Sequence, residues 1–378
     1  MINRERLRKI FEELVRIDSP SGEEDKVSTR LKEYISDLGG DIKEDNAKEK
    51  LNTKADNLFG WFNGSVDLPP IMLCAHMDTV EPCRGIEPVF KNGIFTSKGD
   101  TVLGADDKAA VAVIIEVLNV IKDNNLAVCP IDAVFTVFEE GGLKGAKVLD
   151  ESLIRADFGY IPDSTDNEGI VVSAPACTRM KFKITGKAAH AGAEPEKGIN
   201  AVMTAAKALS SVESGRIDDE TTCNVGTIKG GKATNIVPDQ VVVEAEARSH
   251  NPEKLKKVVG NVKKAFEDAV KKGQEESGTA LPYLESEIED DFPNISLNDN
   301  DKAVSLGKKA AANLGYELAG KSVGGGSDAN ILFHKGIKAG VIGIGMKDIH
   351  TTNENIALED MVKCGEFLLE AIKVYSKV

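Results

Sequence analysis

The chain is poor in several things, and each shortage removes a class of explanation. Positive charge is short: 47 Lys and Arg stand against 61 Asp and Glu, a net charge of -14. That balance argues against nucleic acid or anionic membrane as a partner. Its six cysteines, Cys74, Cys83, Cys129, Cys177, Cys223 and Cys364, form no C-x-x-C. Several sit in apolar runs such as "IMLCA", so they read as reduced core thiols rather than a disulfide framework. Long hydrophobic runs are missing too; even "AAVAVIIEVLNVI" is broken by Glu116, which argues against a membrane span. The opening "MINRERLRKIFEELVRIDSPSGEED" is charged and amphipathic with no signal-peptide core, so the cytoplasm is the expected location. Histidine is scarce, five in 378 residues, and each position is therefore informative.

What is present suits a globular protein of two domains. The hydrophobic fraction is 41%, ample for buried cores, and the length exceeds that of one ordinary domain. Up to about residue 176 helical and strand-like patterns alternate. "RLRKIFEELVRI" and "DDKAAVAVIIEVLNVIKD" read as helices; "IMLCA", "IDAVFTVF" and "FGYIP" read as strands. That rhythm implies an α/β domain with a mostly parallel sheet covered on both faces. From 177 to 293 the rhythm changes to strand, helix, strand, strand, helix, strand. This is the split βαβ, ferredoxin-like pattern of a small α+β sandwich. "RMKFKIT" alternates, which predicts one wet sheet face, and the second helix is expected from Pro252 to Lys272. Between 294 and 378 the α/β rhythm returns with "DKAVSLGKKAAANLG", "AGVIGIG" and "ALEDMVKCGEFLLEAIKVYSKV". The reading is one large domain, 1–176 with 294–378, interrupted by a smaller inserted one, 177–293; insertions are tolerated at exposed loops.

Open α/β sheets collect ligands beyond the carboxyl ends of their strands. Here strand after strand ends in a metal-competent group. "IMLCA" is followed by His76 and Asp78, which as i and i+2 on an extended chain share one side. Asp106 and Asp107 stand where a helix begins. Glu139 and Glu140 follow "IDAVFTVF", Asp163 follows "FGYIP", and His350 follows "AGVIGIGMKDI". Taken singly, Asp106 reads as a helix N-cap, the glutamate pair as a solvated strand end, and His350 as a satisfied histidine. Taken together, clustered carboxylates without a cation would raise one another's pKa. Two imidazoles among them suit a divalent metal: zinc first, cobalt or manganese as alternatives. The set is large enough for two ions about 3.5–4 Å apart with a bridging carboxylate.

The segments "AHMDTV", "GADDKAAVA", "FEEGGLKGAK", "GKAAHAGAEPEKGINA" and "ARSHN" resemble, in order, the motifs of the M20 co-catalytic metallopeptidases. The likeness is greatest to peptidase T and its relatives, and it runs from "IDSPSGEE" to "IHTTNENI". The resemblance implies a zinc-peptidase-like catalytic domain and makes the inserted domain a lid. It implies that His76 and Asp163 bind one metal, Glu140 and His350 the other, and Asp106 both. Asp78 would orient His76, as metal-bound histidines usually require, and Glu139 would be the general base. Which glutamate of the pair has which task comes from the resemblance alone. On the lid it implies an oxyanion-stabilising His190, a substrate-carboxylate Arg248, and Asn235 near the substrate. His250 and His334 read as structural. The expected substrate is a short peptide cut at its N-terminal residue, and the expected assembly is a homodimer through the lid.

The chain departs from peptidase T proper at one loop. An arginine precedes the Gly-Gly of an "RGGTDG"-like loop there, whereas this chain reads "VGGGSDAN" with Gly324 in that place. Other M20 members cleave N-acyl amino acids or C-terminal residues, and that deacylase or carboxypeptidase chemistry is the alternative reading. M42-type aminopeptidases share the "GADD" and "EE" elements, but "AAHAG" and the helix after it favour M20.

Overall fold

A computed structural model of the protein describes residues 1–165 and 168–377. Val378, the last residue of the expected closing helix, lies outside the described residues, and the helix runs from Leu358 to Tyr375. The chain divides into two compact units. The larger holds Met1–Ser173, Ser296–Val323 and Ser327–Val378; the smaller holds Ala174–Ile295 with Gly324–Gly326.

The larger unit is built on a sheet whose centre is parallel. Strand Ile71–His76 pairs in parallel with Ile131–Thr136 on one side and Phe158–Ser164 on the other. Lys338–Gly343 extends the parallel run beyond Phe158–Ser164. The flanks are antiparallel, with Leu58–Phe62 against Ile131–Thr136 and Gly169–Ala174 against Lys338–Gly343. Ile71–His76 and Ile131–Thr136 are buried at every residue, as strands covered on both faces should be. The covering helix Ala105–Asp123 is apolar nearly all round, and from Ala105 to Leu118 every residue is buried. A helix of that kind belongs inside a core rather than on its surface. Among the elements that the sequence reading did not name is a three-stranded sheet of Pro88–Lys91, Ile94–Ser97 and Asn355–Ala357. Its last strand is only three residues long, too short for alternation to show.

The smaller unit is a five-stranded antiparallel sheet. Its order runs Gly215–Asp218, Thr221–Gly230, Gln240–Ser249, Ala176–Thr185, Tyr283–Phe292. Without the short edge strand Gly215–Asp218, this is the split βαβ arrangement. Met180, Phe182 and Ile184 on one strand and Val241, Val243, Ala245 and Ala247 on its neighbour turn inward. Phe182 stacks on Phe266 of the long helix with ring centroids 4.1 Å apart. That helix starts at Pro252, capped by Asn251, whose side chain accepts from the N–H groups of Glu253 and Lys254. It runs to Ser277 instead of the expected Lys272. Gly273, which looks like a stop in the sequence, is a packing glycine: a Cβ there would lie 2.7 Å from Pro282 Cγ. The left-handed cap comes later, at Gly278, with φ 62°.

Candidate metal centre

The parallel register sets the site. His76 lies opposite Thr136, so three neighbouring strands finish at the same edge of the sheet. Their extensions carry His76 and Asp78, Glu139 and Glu140, and Asp163. Helix Ala105–Asp123 opens at the same edge with Asp106 and Asp107, and the loop after Lys338–Gly343 supplies His350.

Asp106 stands at the middle of the cluster. Its Oδ1 lies 3.0 Å from His76 Nε2, and its Oδ2 lies 3.2 Å from His350 Nε2. His350 Nε2 is also 3.1 Å from Glu140 Oε1. One donor atom from each of His76, Asp106 and Glu140 falls within 4.8 Å of the others, and so does one from each of His76, Asp107 and Asp163. The second grouping differs from the expected set, because Asp107 rather than Asp106 joins His76 and Asp163. Asp107 is fully buried, takes the N–H of His76 on Oδ2 at 3.3 Å, and leaves Oδ1 without a hydrogen-bond partner.

Asp78 has a wider task than expected. His76 Nδ1 lies 3.0 Å from the Asp78 carbonyl oxygen and 3.4 Å from its Oδ1. The same carboxylate accepts the N–H of Glu139 on Oδ1 at 3.0 Å and that of Glu140 on Oδ2 at 3.1 Å. Ser21 Oγ donates to Oδ2 at 2.6 Å. One buried carboxylate therefore holds both the histidine and the turn bearing the glutamates. The turn is tight: Phe138 has φ 54°, and a Cβ on Gly141 would lie 1.9 Å from the Phe138 ring. Only glycine fits there.

Two positioning carboxylates carry no motif that the sequence reading picked out. Glu354, 2% exposed, accepts the N–H groups of Leu103 and Gly104 at 2.7 Å and of Asp106 at 2.9 Å. It pins the loop before Asp106 from a point four residues beyond His350. Glu24 Oε1 takes the N–H of Gly22 at 2.7 Å and of Phe138 at 3.0 Å. A carboxylate two residues past a Gly, as in "SPSGEED", is a weak hint of an N–H acceptor and nothing more.

The electrostatics are those of a cluster built around positive charge. Burial pushes the carboxyls of Asp107, Glu139 and Asp163 well above the ordinary range. At Glu139, His76 opposes that push, while Asp163, Asp328 and Glu140 add to it. Burial works against Asp106 as well, yet its bonds to His350 and His76 hold its carboxyl below the ordinary range. Bonds to Asp106 and Glu140 push the His350 imidazole up to about 10. Buried like charges of this density are stable only with a cation or with protons among them. Two imidazoles, several carboxylates and an orphaned carboxylate oxygen fit a hard-to-borderline divalent metal.

The expected lid residues all lie in the smaller unit. His190 is exposed, and its Nδ1 accepts the N–H groups of Gly192 at 3.2 Å and Ala193 at 3.1 Å. With Nδ1 an acceptor, the neutral ring carries its proton on Nε2. Asn235 sits beside it, its carbonyl accepting the N–H of Ala191 at 2.9 Å. Arg248 is paired with Glu246. His334 packs edge-on against Phe333, and the N–H of His250 donates to the Glu220 carbonyl.

A parallel α/β sheet with an inserted antiparallel domain, and a cluster of imidazoles and carboxylates at the strand ends, define a two-domain metallohydrolase. Residues 177–274 match the peptidase dimerisation domain, and residues 85–169, which include the "GADD" and "EE" segments, match M42 glutamyl aminopeptidase. An uncharacterized protein of Bacillus subtilis, YqjE, is 43% identical over 378 residues, all of both chains. A tripeptidase structure from Staphylococcus aureus is 40% identical, with TM-score 0.94 over all of both chains. The structure of the aminopeptidase PepT from Bacillus cereus is 40% identical, with TM-score 0.90 over 99% of both chains. The chain belongs to the M20 peptidases, in their peptidase T-like branch. Among the described residues, no helix is long and apolar enough to cross a membrane.

Proposed function

We propose that the protein is a dinuclear metal-dependent aminopeptidase that removes the N-terminal residue of short peptides, tripeptides above all. One observation carries the reading: Asp106 presents one oxygen to His76 and the other to His350, the arrangement a bridging carboxylate needs. Likeness over the whole chain to a tripeptidase and to an aminopeptidase, each at 40% identity, supports the substrate class.

His76 and Asp163 would hold one ion, Glu140 and His350 the other, and Asp106 both; zinc fits the set first, cobalt or manganese next. Bound there, the ions would lower the pKa of water and polarise the scissile carbonyl. The chain's own residues do the rest. Glu140 faces His350, whereas Glu139 belongs to neither ligand grouping and is free to move a proton. It takes one from the attacking water and gives it to the leaving amine. Asp78 keeps Glu139 and Glu140 apart in their two tasks by holding both backbone N–H groups. His190, protonated on Nε2, offers its N–H to the developing oxyanion. Arg248 receives the substrate's terminal carboxylate, a pairing arginine makes well. It stands beside Gly324, where the loop carries no charge of its own. Asn235, next to His190, lines the substrate. The match to the peptidase dimerisation domain supports a homodimer. Six free, buried cysteines suit the cytoplasm.

A second reading, hydrolysis of N-acyl amino acids or of C-terminal residues, draws on 27% identity over 343 residues to carboxypeptidase G2 of Pseudomonas. The test is a panel of tripeptides with free or acetylated N-termini, offered to metal-loaded protein. The proposal expects release of the first residue from free amines only. Turnover confined to blocked substrates would move the protein to the acylase or carboxypeptidase side of the family.

A further inference from the structure

Strand Gln240–Ser249 is paired on both sides, so its side chains divide strictly between two faces. Ala245 and Ala247 turn into the core. Glu246 and Arg248 stand on the opposite face, two residues apart and pointing the same way. There Arg248 Nε donates to Glu246 Oε1 at 2.9 Å, and Arg248 Nη2 donates to Oε2 at 3.2 Å. The carboxylate thus occupies one full edge of the guanidinium. Arg248 Nη1 donates to the Gly324 carbonyl at 3.2 Å, and the ring of Phe292 lies 5.8 Å from the guanidinium carbon. A guanidinium has five N–H donors in a fixed fork. These three bonds leave one further N–H on each terminal nitrogen, the pair that a carboxylate can take together.

Both side chains keep about a third of their surface in solvent, 31% for Arg248 and 35% for Glu246. An ion pair that exposed contributes little to folding, while holding two long side chains in one bidentate geometry costs rotamer freedom. The geometry is therefore better accounted for by what it does to the arginine. Clamped along one edge by Glu246, tied at Nη1 to Gly324 and flanked by an aromatic ring, the guanidinium is fixed in plane and direction before any ligand arrives. We infer that Glu246 is a positioning residue for substrate specificity: it orders Arg248 so that the two remaining N–H groups meet a free C-terminal carboxylate. The substrates favoured are therefore peptides ending in a free carboxylate over their C-terminal amides. This rests on the reading of Arg248 as the carboxylate-binding arginine.

The experiment is steady-state kinetics on the metal-loaded full-length protein, with trialanine and trialanine amide as substrates. Variants Glu246→Ala, Glu246→Gln and Arg248→Met are compared with the unaltered chain. Ordering a long side chain on binding rather than beforehand should raise the KM of Glu246→Ala for trialanine about two- to tenfold. The KM for the amide, which makes no such contact, should move much less. Glu246→Gln keeps one acceptor and should fall between. A fall in the trialanine KM of Glu246→Ala would overturn the inference, because Glu246 would then be a competitor for the arginine. Equal KM changes for acid and amide would overturn it too, by assigning Glu246 a merely structural role. If Arg248→Met abolishes the preference for acid over amide while Glu246→Ala leaves it intact, the inference falls and the reading of Arg248 stands. If Arg248→Met leaves the preference intact, the reading of Arg248 itself falls.

Discussion

The two units share a vocabulary of strands backed by helices but treat charge in opposite ways. In the smaller unit, charged side chains stand on the open face of the sheet and find partners across it: Lys183 with Glu285 at 2.9 Å and Lys181 with Glu287 at 3.2 Å. Its interior is apolar, centred on Phe182, Phe266 and the valines of the central strand. In the larger unit, charge is carried inward. His76, Asp78, Asp106, Asp107, Glu139 and Glu354 are all buried at one edge of the sheet, and acids far outnumber bases. On the smaller unit's open face the charges are balanced in pairs, whereas the larger unit gathers an acid-rich cluster that calls for a cation; that difference puts the metal chemistry on the larger unit and leaves the smaller one contacts to the substrate.

The largest effect is expected where the cluster is altered without changing its shape. Glu139→Gln should lower kcat by about 10²- to 10⁴-fold, the range for a lost general acid–base, with metal content unchanged by elemental analysis. Unaltered turnover would remove Glu139 from the mechanism. The complementary change belongs to the apolar unit. Phe266→Ala deletes half of the stacked pair and should destabilise the protein by about 3–5 kcal/mol, read by denaturant unfolding. Metal stoichiometry should stay the same, since nothing charged is lost.

A third test uses protons. His350 is pushed up to about 10 by Asp106 and Glu140, so at pH 7 the metal-free ring is protonated and must lose that proton to bind a metal. Metal affinity should therefore rise with pH, by up to about tenfold per unit for each proton released. Calorimetric titration in buffers of different ionisation enthalpy would measure it, and affinity falling with pH would contradict the sign. The smallest effect is expected on the open face, where Lys183→Ala should cost about 0–1 kcal/mol and leave activity within twofold.

Much of this is legible in the sequence. A continuous apolar strand running into His76 and Asp78 marks its own end, and although a capped strand would read the same way, the metal-competent groups at the neighbouring strand ends favour a site. The alternation in "RMKFKIT" announces the wet face now seen to carry Lys181 and Lys183. What escaped has a common physical cause: it depends on partners far away in the chain. Glu354 reaches Leu103 and Gly104 across some 250 residues, and Gly273 looks like a helix stop until Pro282 is seen against it. The resemblance gives Asp107 no task, and only folding brings it to the His76 N–H and within 4.8 Å of an Asp163 oxygen. Local pattern reports periodicity and strand ends; it does not report which distant backbone a carboxylate will hold.

Under the proposed function one carboxylate, Asp106, would hold two metal ions. The most direct measurement is metal stoichiometry by elemental analysis after equilibrium dialysis, for the unaltered chain and for Asp106→Ala. The account predicts two ions per chain in the first and the loss of both in the second. Two ions retained by Asp106→Ala, or a single ion in the unaltered protein at saturating metal, would contradict it.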